Sequence, residues 1–282
     1  MYTRRGRKRN SFHFSKKDWI LLGSVVLALI VCIFLATLTI QRIQSKLSLE
    51  QDIARFSQKN ETTSFRLDKI VLFSSCDAVR NETPKALWDL NPYQYTDIAI
   101  YIDNQSENGI TSENAIEALW IDNISFGLQP ELGTPSLYFK NSSDFGKASV
   151  IAENKINDRL DYTVVSTNET IDTSTPTIYD SCQTPITLEF VNENIKTNAI
   201  ISDMDSLTFD GSLLAKVGVP LNSIRSSVAF HINITNGNGT TYVCPVSIQI
   251  PLEGENENDT IIESGYITKT MENLSQYQFN QF

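Results

Sequence analysis

Twenty-two consecutive residues, Trp19 to Ile40, carry no charge and are mostly Leu, Ile and Val. As a helix the run spans about 33 Å at 1.5 Å per residue, enough for a bilayer core of about 30 Å. Arg4, Arg5, Arg7, Lys8, Arg9, Lys16 and Lys17 precede it, whereas Arg42 and Lys46 follow it. The positive-inside rule therefore predicts a cytoplasmic N-terminus and a C-terminal ectodomain outside the cell membrane. Trp19 takes the interfacial aromatic position and Arg42 the opposite rim, so these two mark the anchor. A cleaved secretory signal would have an apolar core of about 7–15 residues and a small-residue exit site, and no A-x-A follows here. Lipidation at Cys32 would want a small residue in place of Val31, and a pilin-type leader would want an aromatic residue in place of Arg7 after Gly6.

Charge is distributed to match. Seven basic residues against Asp18 give the first 18 residues a net +6 and the apolar run carries none. The remainder therefore holds −16 of a chain whose total is −10. An acidic body of that size repels nucleic acid and anionic lipid. With 41% hydrophobic and 20% charged residues, the chain has the composition of a folded protein.

After the apolar run, Ile43 and Leu47, then Ile53 and Phe56, fall at helical spacings with no Gly or Pro between them. They predict a stalk helix without a heptad seam. From Phe65 the period becomes two. Ile98, Ile100 and Ile102 share one face of TDIAIYIDN, and Ile186, Leu188 and Phe190 oppose Thr187 and Glu189. Val228, Phe230, Ile232 and Ile234 alternate with Ala229, His231, Asn233 and Thr235; Tyr242, Cys244, Val246, Ile248 and Ile250 form a fourth such row. These are strands with one buried and one wet face, and Pro245 and Pro251 put the last at an edge. Further strands are expected at 65–73, 119–126, 136–140, 149–152, 161–166 and 206–210, and short helices at 112–118 and 213–217. The expected fold is mainly β: an antiparallel, immunoglobulin-like β-sandwich ectodomain on an N-terminal transmembrane helix and short helical stalk. Its parts are a basic tail 1–18, the span 19–40, the stalk 41–61, and the sandwich 62–253 with a soft sub-boundary in the Thr-rich stretch 166–177. A loose polar tail 254–282 follows, with room for one strand at 260–268.

Histidine limits the chemistry. Only His13 and His231 occur, and His13 falls on the inner side. A Ser-His-Asp or Cys-His centre in the ectodomain must use His231, which sits on the polar face of its strand. No H-E-x-x-H, paired C-x-x-C or Gly-rich phosphate loop is present. Carboxylates remain open, because a glycosidase needs only two of them in a cleft. Asp203, Asp205 and Asp210 have the oxygen-rich alternation that suits calcium, as do Glu255, Glu257 and Asp259. A structural turn or flexible acidic loop is the plainer reading of both runs. Trp88, Tyr93 and Tyr95 cluster beside Asn91-Pro92 and are the candidate binding aromatics, for a sugar or a protein. The competing reading buries them at the end of the sandwich.

Cys182 and Cys244 share parity with apolar rows and are candidates for a disulfide between facing sheets. Closing a loop of about 60 residues would contribute roughly 4 kcal/mol. Cys76 has the same parity as Ile70 and Leu72 and competes with either partner; three reduced, buried thiols are the remaining reading. Ten N-x-S/T sequons, at Asn60, Asn81, Asn104, Asn123, Asn141, Asn168, Asn233, Asn238, Asn258 and Asn273, are glycan acceptors in a glycosylating secretory pathway and an Asn-rich surface elsewhere.

These readings describe a membrane-anchored extracytoplasmic module with a binding, adhesion or envelope-assembly role, no catalysis and no cofactor. Its partners are the membrane and an unidentified extracellular protein or glycan, with nucleic acid excluded. A carboxylate-based hydrolase and an accessory subunit of a membrane complex are the alternatives.

Overall fold

Alternating apolar residues dominate the chain from residue 65 onward, and they form paired strands. The computed structural model describes residues 63–83, 87–105, 109–197, 199–252, 254 and 259–282. The basic tail, the span 19–40, the stalk, Trp19, Arg42, Glu255, Glu257, Asn60 and Asn258 lie outside those residues. The chain divides into a unit of residues 1–48 and one of 49–282, and every described residue belongs to the second. Among the described residues no helix is long and apolar enough to cross a membrane.

The strands are β1 (Arg66–Glu82), β2 (Trp88–Asp103), β3 (Ile116–Phe126), β4 (Thr134–Phe139), β5 (Lys155–Ile156), β6 (Leu160–Val165), β7 (Thr177–Tyr179), β8 (Ile186–Glu193), β9 (Ile200–Ile201), β10 (Ser226–Asn236), β11 (Thr241–Ile250), β12 (Ile267–Met271) and β13 (Asn280–Gln281). The two short α-helices are α1 (Ser212–Lys216) and α2 (Ile261–Ser264). One sheet has the order β12-β1-β2-β8-β4-β5, with β9 paired to β2; the other runs β13-β11-β10-β3-β6-β7. All pairings are antiparallel except β6 with β7. The stretch 166–177 connects those two strands. The result is a mainly β, sandwich-like fold.

Parity explains the core. Ile70, Leu72, Ile98, Ile100, Leu137, Leu188 and Phe190 of the first sheet form one apolar cluster with Leu119, Ile121, Val228, Phe230, Ile232, Cys244 and Val246 of the second. Each fully buried side chain of this size stabilises by about 1.5–3 kcal/mol. β11 lies one strand from the edge, because only the two residues of β13 pair beyond it, at Tyr242 and Val243; Pro245 lies past that pairing and Pro251 follows the end of the strand, so few ladder donors are missing.

Four sequence expectations need correction. No strand forms at 149–152, where a 3-10 turn begins at Ala152, or at 206–210, which is turn and loop. Residues 112–118 form a turn leading into β3, not a helix: Asn114 Oδ1 accepts from Thr111 N at 2.7 Å. Thr111 and Ser112, which read as helix caps in the sequence, belong to this turn, and a register shift where Thr235 and Asn236 meet the strand puts Ile116 and Leu119 on the same buried side. The segment 254–282 is no loose tail. It supplies α2, an edge strand to the first sheet and an edge strand to the second. The disulfide is absent as well: Cys76, Cys182 and Cys244 are free and buried. Cys182 follows β7 and Cys244 lies in β11, four strand spacings apart in one sheet. At about 4.8 Å per spacing that is far beyond disulfide reach. Burial pushes all three thiols up, Cys182 to about 12, so none is a ready nucleophile.

Candidate functional site

β8 is buried on both faces, although its sequence promises one wet side. The unexpected cover is the segment that follows β4. Lys140 directly follows that strand, and a single 3-10 turn, Ser142–Asp144, folds the chain back over the outer face of the first sheet. Asn141 Oδ1 starts the turn by accepting from Ser143 N at 3.0 Å. Thr187 Oγ1 fixes its base by donating to Lys140 O at 2.5 Å.

Underneath lies a cluster of three ionisable side chains. Asp97 of β2 and Glu189 of β8 are direct cross-strand partners, and Lys140 reaches both from the β4 side. Their side chains are 0%, 1% and 1% exposed for Asp97, Glu189 and Lys140. Lys140 Nζ donates to Glu189 Oε1 at 3.0 Å and to Lys147 O at 2.7 Å. It also stands 3.1 Å from Asp97 Oδ1, within ion-pairing range but outside hydrogen-bond alignment. Gly146 N donates to the other oxygen, Asp97 Oδ2, at 2.6 Å. Gly146 has φ +82, in the left-handed region where a side chain would add strain.

Burial pushes both acids up, and the Lys140 ammonium opposes the rise without cancelling it. The Asp97 charge raises Glu189 further, whereas a hydrogen bond from Glu189 holds Asp97 down, so the two acids titrate as a pair. One lysine between two such acids approaches neutrality when the acids hold a single proton between them.

This predicts a pH dependence. Folding raises Glu189 above its unfolded value, so the folded state binds more protons than the unfolded one. Stability is therefore fullest at and below the ordinary Glu range, near about 4.3, and falls as the pH rises from there towards neutrality. Urea titrations across that range should show the decline, and Glu189→Gln should reduce it, leaving the share that the raised Asp97 contributes; an unchanged slope in the variant would remove Glu189 as a source.

Aromatic rings surround the cluster. Tyr95, Tyr138 and Val191 are buried together, with Phe73, Tyr93, Ala148 and Val150 packed against them. Tyr138 OH donates to Glu193 Oε1, and Lys140 Nζ lies 5.8 Å from the Tyr95 ring centroid. Tyr266 stacks on Phe73 at 5.5 Å and is 57% exposed. Burial keeps Tyr93, Tyr95 and Tyr138 as neutral phenols, well above the usual value.

The sequence-derived aromatic trio is thus divided. Tyr93 and Tyr95 reach this outer face, while Trp88 has the opposite parity and packs against the main core. Phe73, Tyr138, Tyr266 and Lys140 complete the patch. Phe73, Tyr138 and Lys140 share strand parity with Tyr95 or Glu189, which becomes informative once the strand order is known.

The acidic candidates for calcium make turns. Asp203 Oδ1 accepts from Asp205 N at 3.2 Å, and Asp210 Oδ1 caps α1 by accepting from Ser212 N at 2.9 Å and Ser212 Oγ at 2.6 Å. Among the described residues no group of three His, Cys, Asp or Glu side chains is arranged to hold a metal ion.

His231 is 16% exposed, beside Asn123 at 3.0 Å and Asp122 at 4.0 Å. Asn123 sits at φ 51 in a bulge where β3 slips against β10. His231→Ala should cost about 0.5–1 kcal/mol of stability, the value of one ordinary hydrogen bond, and leave partner binding unchanged. A binding loss with folding intact would make this group functional.

Two sequons are structural. Asn104 Nδ2 donates to Asn114 O at 2.8 Å and Asn233 Nδ2 donates to Asp122 Oδ1 at 2.9 Å, both from buried side chains. Neither amide has room for a glycan in the folded state.

Comparison with protein families, with curated proteins and with solved structures finds no match.

Proposed function

We propose that the chain is a single-pass membrane-anchored module, N-terminus in the cytoplasm, whose immunoglobulin-like β-sandwich engages an extracellular protein or glycan without turning it over. The observation that carries the binding role is the aromatic patch on the outer face of the first sheet. Tyr266 is largely exposed, stacked on Phe73, and Tyr93 lies 6.4 Å from Tyr95 in the same patch. Aromatic faces supply large contact area at little entropic cost and anchor protein and sugar partners alike. The anchoring half of the proposal rests on the basic cluster before an uncharged 22-residue run.

The hydrolase alternative asks for two neighbouring acids that a substrate can reach. Asp97 and Glu189 are neighbours, but both lie beneath the Gly146 segment with no more than 1% of their side chains exposed. That favours a structural role for the pair over turnover of an external substrate.

Protease added to intact cells should digest the chain beyond residue 62 and spare the N-terminal tail. Crosslinking and pull-down from intact membranes should recover a partner with the wild-type chain. Recovery should fall about tenfold or more with Tyr93→Ala/Tyr266→Ala, since each anchor of this kind contributes over about 1 kcal/mol. Protection of the whole ectodomain would overturn the topology, and undiminished recovery with the double variant would overturn the patch.

A further inference from the structure

We propose that Lys140 and Asp97 are joined by an amide bond that the folded chain makes for itself, with loss of one water. Lysine and aspartate are almost never fully buried unless paired, and here the pair is sealed under the 141–150 segment with Glu189 as the third member. Lys140 Nζ stands 3.1 Å from Asp97 Oδ1, the oxygen carried by the carbon that Nζ would attack, so the nitrogen is held beside the carboxyl group. The same oxygen is not engaged as a hydrogen-bond acceptor. On the far side of the carboxyl, Gly146 N donates to Oδ2 at 2.6 Å, which polarises the carbonyl and holds the charge that attack would place there. Glu189 Oε1, at 3.0 Å from Nζ, is in place to take a proton from the nitrogen and pass it on.

Exclusion of water favours the neutral, protonated forms of the two carboxylic acids over their ions. The step balances from an ammonium, one protonated acid on Asp97 and one ionised acid on Glu189. The ammonium gives a proton to Glu189, leaving an amine. Nζ attacks Asp97 Cγ, and the tetrahedral intermediate carries its charge on Oδ2 against Gly146 N–H. A second nitrogen proton passes by way of Glu189 to the Oδ1 hydroxyl, which departs as water. One C–N bond forms, one C–O bond breaks, Glu189 ends as a neutral acid, and nothing is oxidised or reduced.

The bond would tie β2 to the end of β4 across β8, fastening three adjacent strands of the first sheet. It is a single self-modification, independent of the aromatic patch above it. In a chain whose three described cysteines are free, it would supply the covalent tie that a disulfide does not.

The test is the mass of the full chain under denaturing conditions, followed by peptide mapping. The wild-type protein should be lighter than its sequence by one water. It should yield a branched peptide linking the Lys140 segment to the Asp97 segment. Lys140→Arg and Glu189→Gln should each restore the full sequence mass. A wild-type chain at full sequence mass overturns the proposal whatever the variants do, since that reading needs no variant to fold. A branch at Glu189 in place of Asp97, or a mass deficit that persists in Lys140→Arg, overturns it equally.

Discussion

Lys140→Met should destabilise the fold by about 3–5 kcal/mol, the cost of stranding the partners of a buried charge. The methionine fills the space of the lysine stem but leaves Asp97 and Glu189 facing one another in a site that excludes water. Glu189 Oε1 and Lys147 O each lose the donor they now have at 3.0 and 2.7 Å. Both acids can protonate, which relieves repulsion, yet neither regains the lost hydrogen bond. An amide between Lys140 and Asp97 would add to this cost. Lys147→Met is the control. Its side chain is mostly exposed, with Asp144 at 3.7 Å and an exposed hydrogen bond to Ser143 O at 3.1 Å, so its removal should change stability by less than about 0.5 kcal/mol. Lys140→Met/Asp97→Asn/Glu189→Gln should recover much of the loss, because two amides can hydrogen-bond to each other and Gly146 N keeps its acceptor. Urea unfolding of the set decides the matter. A loss under about 1 kcal/mol for Lys140→Met would mean that the cluster contributes little to folding.

That cluster shows where reading the sequence succeeds and where it stops. Period-two alternation places Asp97 and Glu189 opposite the apolar rows of β2 and β8, and the structure agrees on parity. It cannot say what lies over the polar side. The covering segment, NSSDFGKAS, is short, polar and turn-rich, the composition of any solvent loop. Its structural meaning comes from one glycine amide, one lysine and the order β2-β8-β4, and strand order is a tertiary fact. The same limit defeated the disulfide: Cys182 and Cys244 have the right parity, but parity does not distinguish facing sheets from distant strands of one sheet. Local signals fared better. Ser212, Lys216, Gly218 and Pro220 predict a short helix, and α1 forms there with Asp210 as the capping acceptor. For Tyr93 and Tyr95, the aromatic patch was half legible. Tyr266 was hidden in a segment with no strong pattern of its own.

Deleting residues 266–282 should abolish cooperative folding, although composition alone makes this segment look dispensable. Its β12 strand pairs with β1 from Ile70 to Ser74. Ile267, Leu274 and Phe279 are buried in the main core, and the Phe279 ring lies 6.2 Å from that of Phe65. Three such side chains at about 1.5–3 kcal/mol each amount to roughly 5 kcal/mol or more, a loss on the scale of an entire domain's stability of about 5–15 kcal/mol. Polar ties would go as well: Tyr277 OH donates to Ser247 O at 2.7 Å, and Phe282 N donates to Thr241 O at 2.9 Å. The preceding residues show how closely the segment is fitted. Gly211 N donates to Gly265 O at 2.6 Å, and a Cβ at Gly211 would fall 2.2 Å from Ile261 O, so only glycine lets α1 and α2 approach. Leu274→Ala and Phe279→Ala divide the effect into single cavities of about 2–5 and 3–5 kcal/mol. A truncated chain that still melts cooperatively, within about 1 kcal/mol of the full one, would return the segment to the status of a tail. Loss of the transition, with both alanine variants folded but weakened, would show that these last residues complete the edges of both sheets.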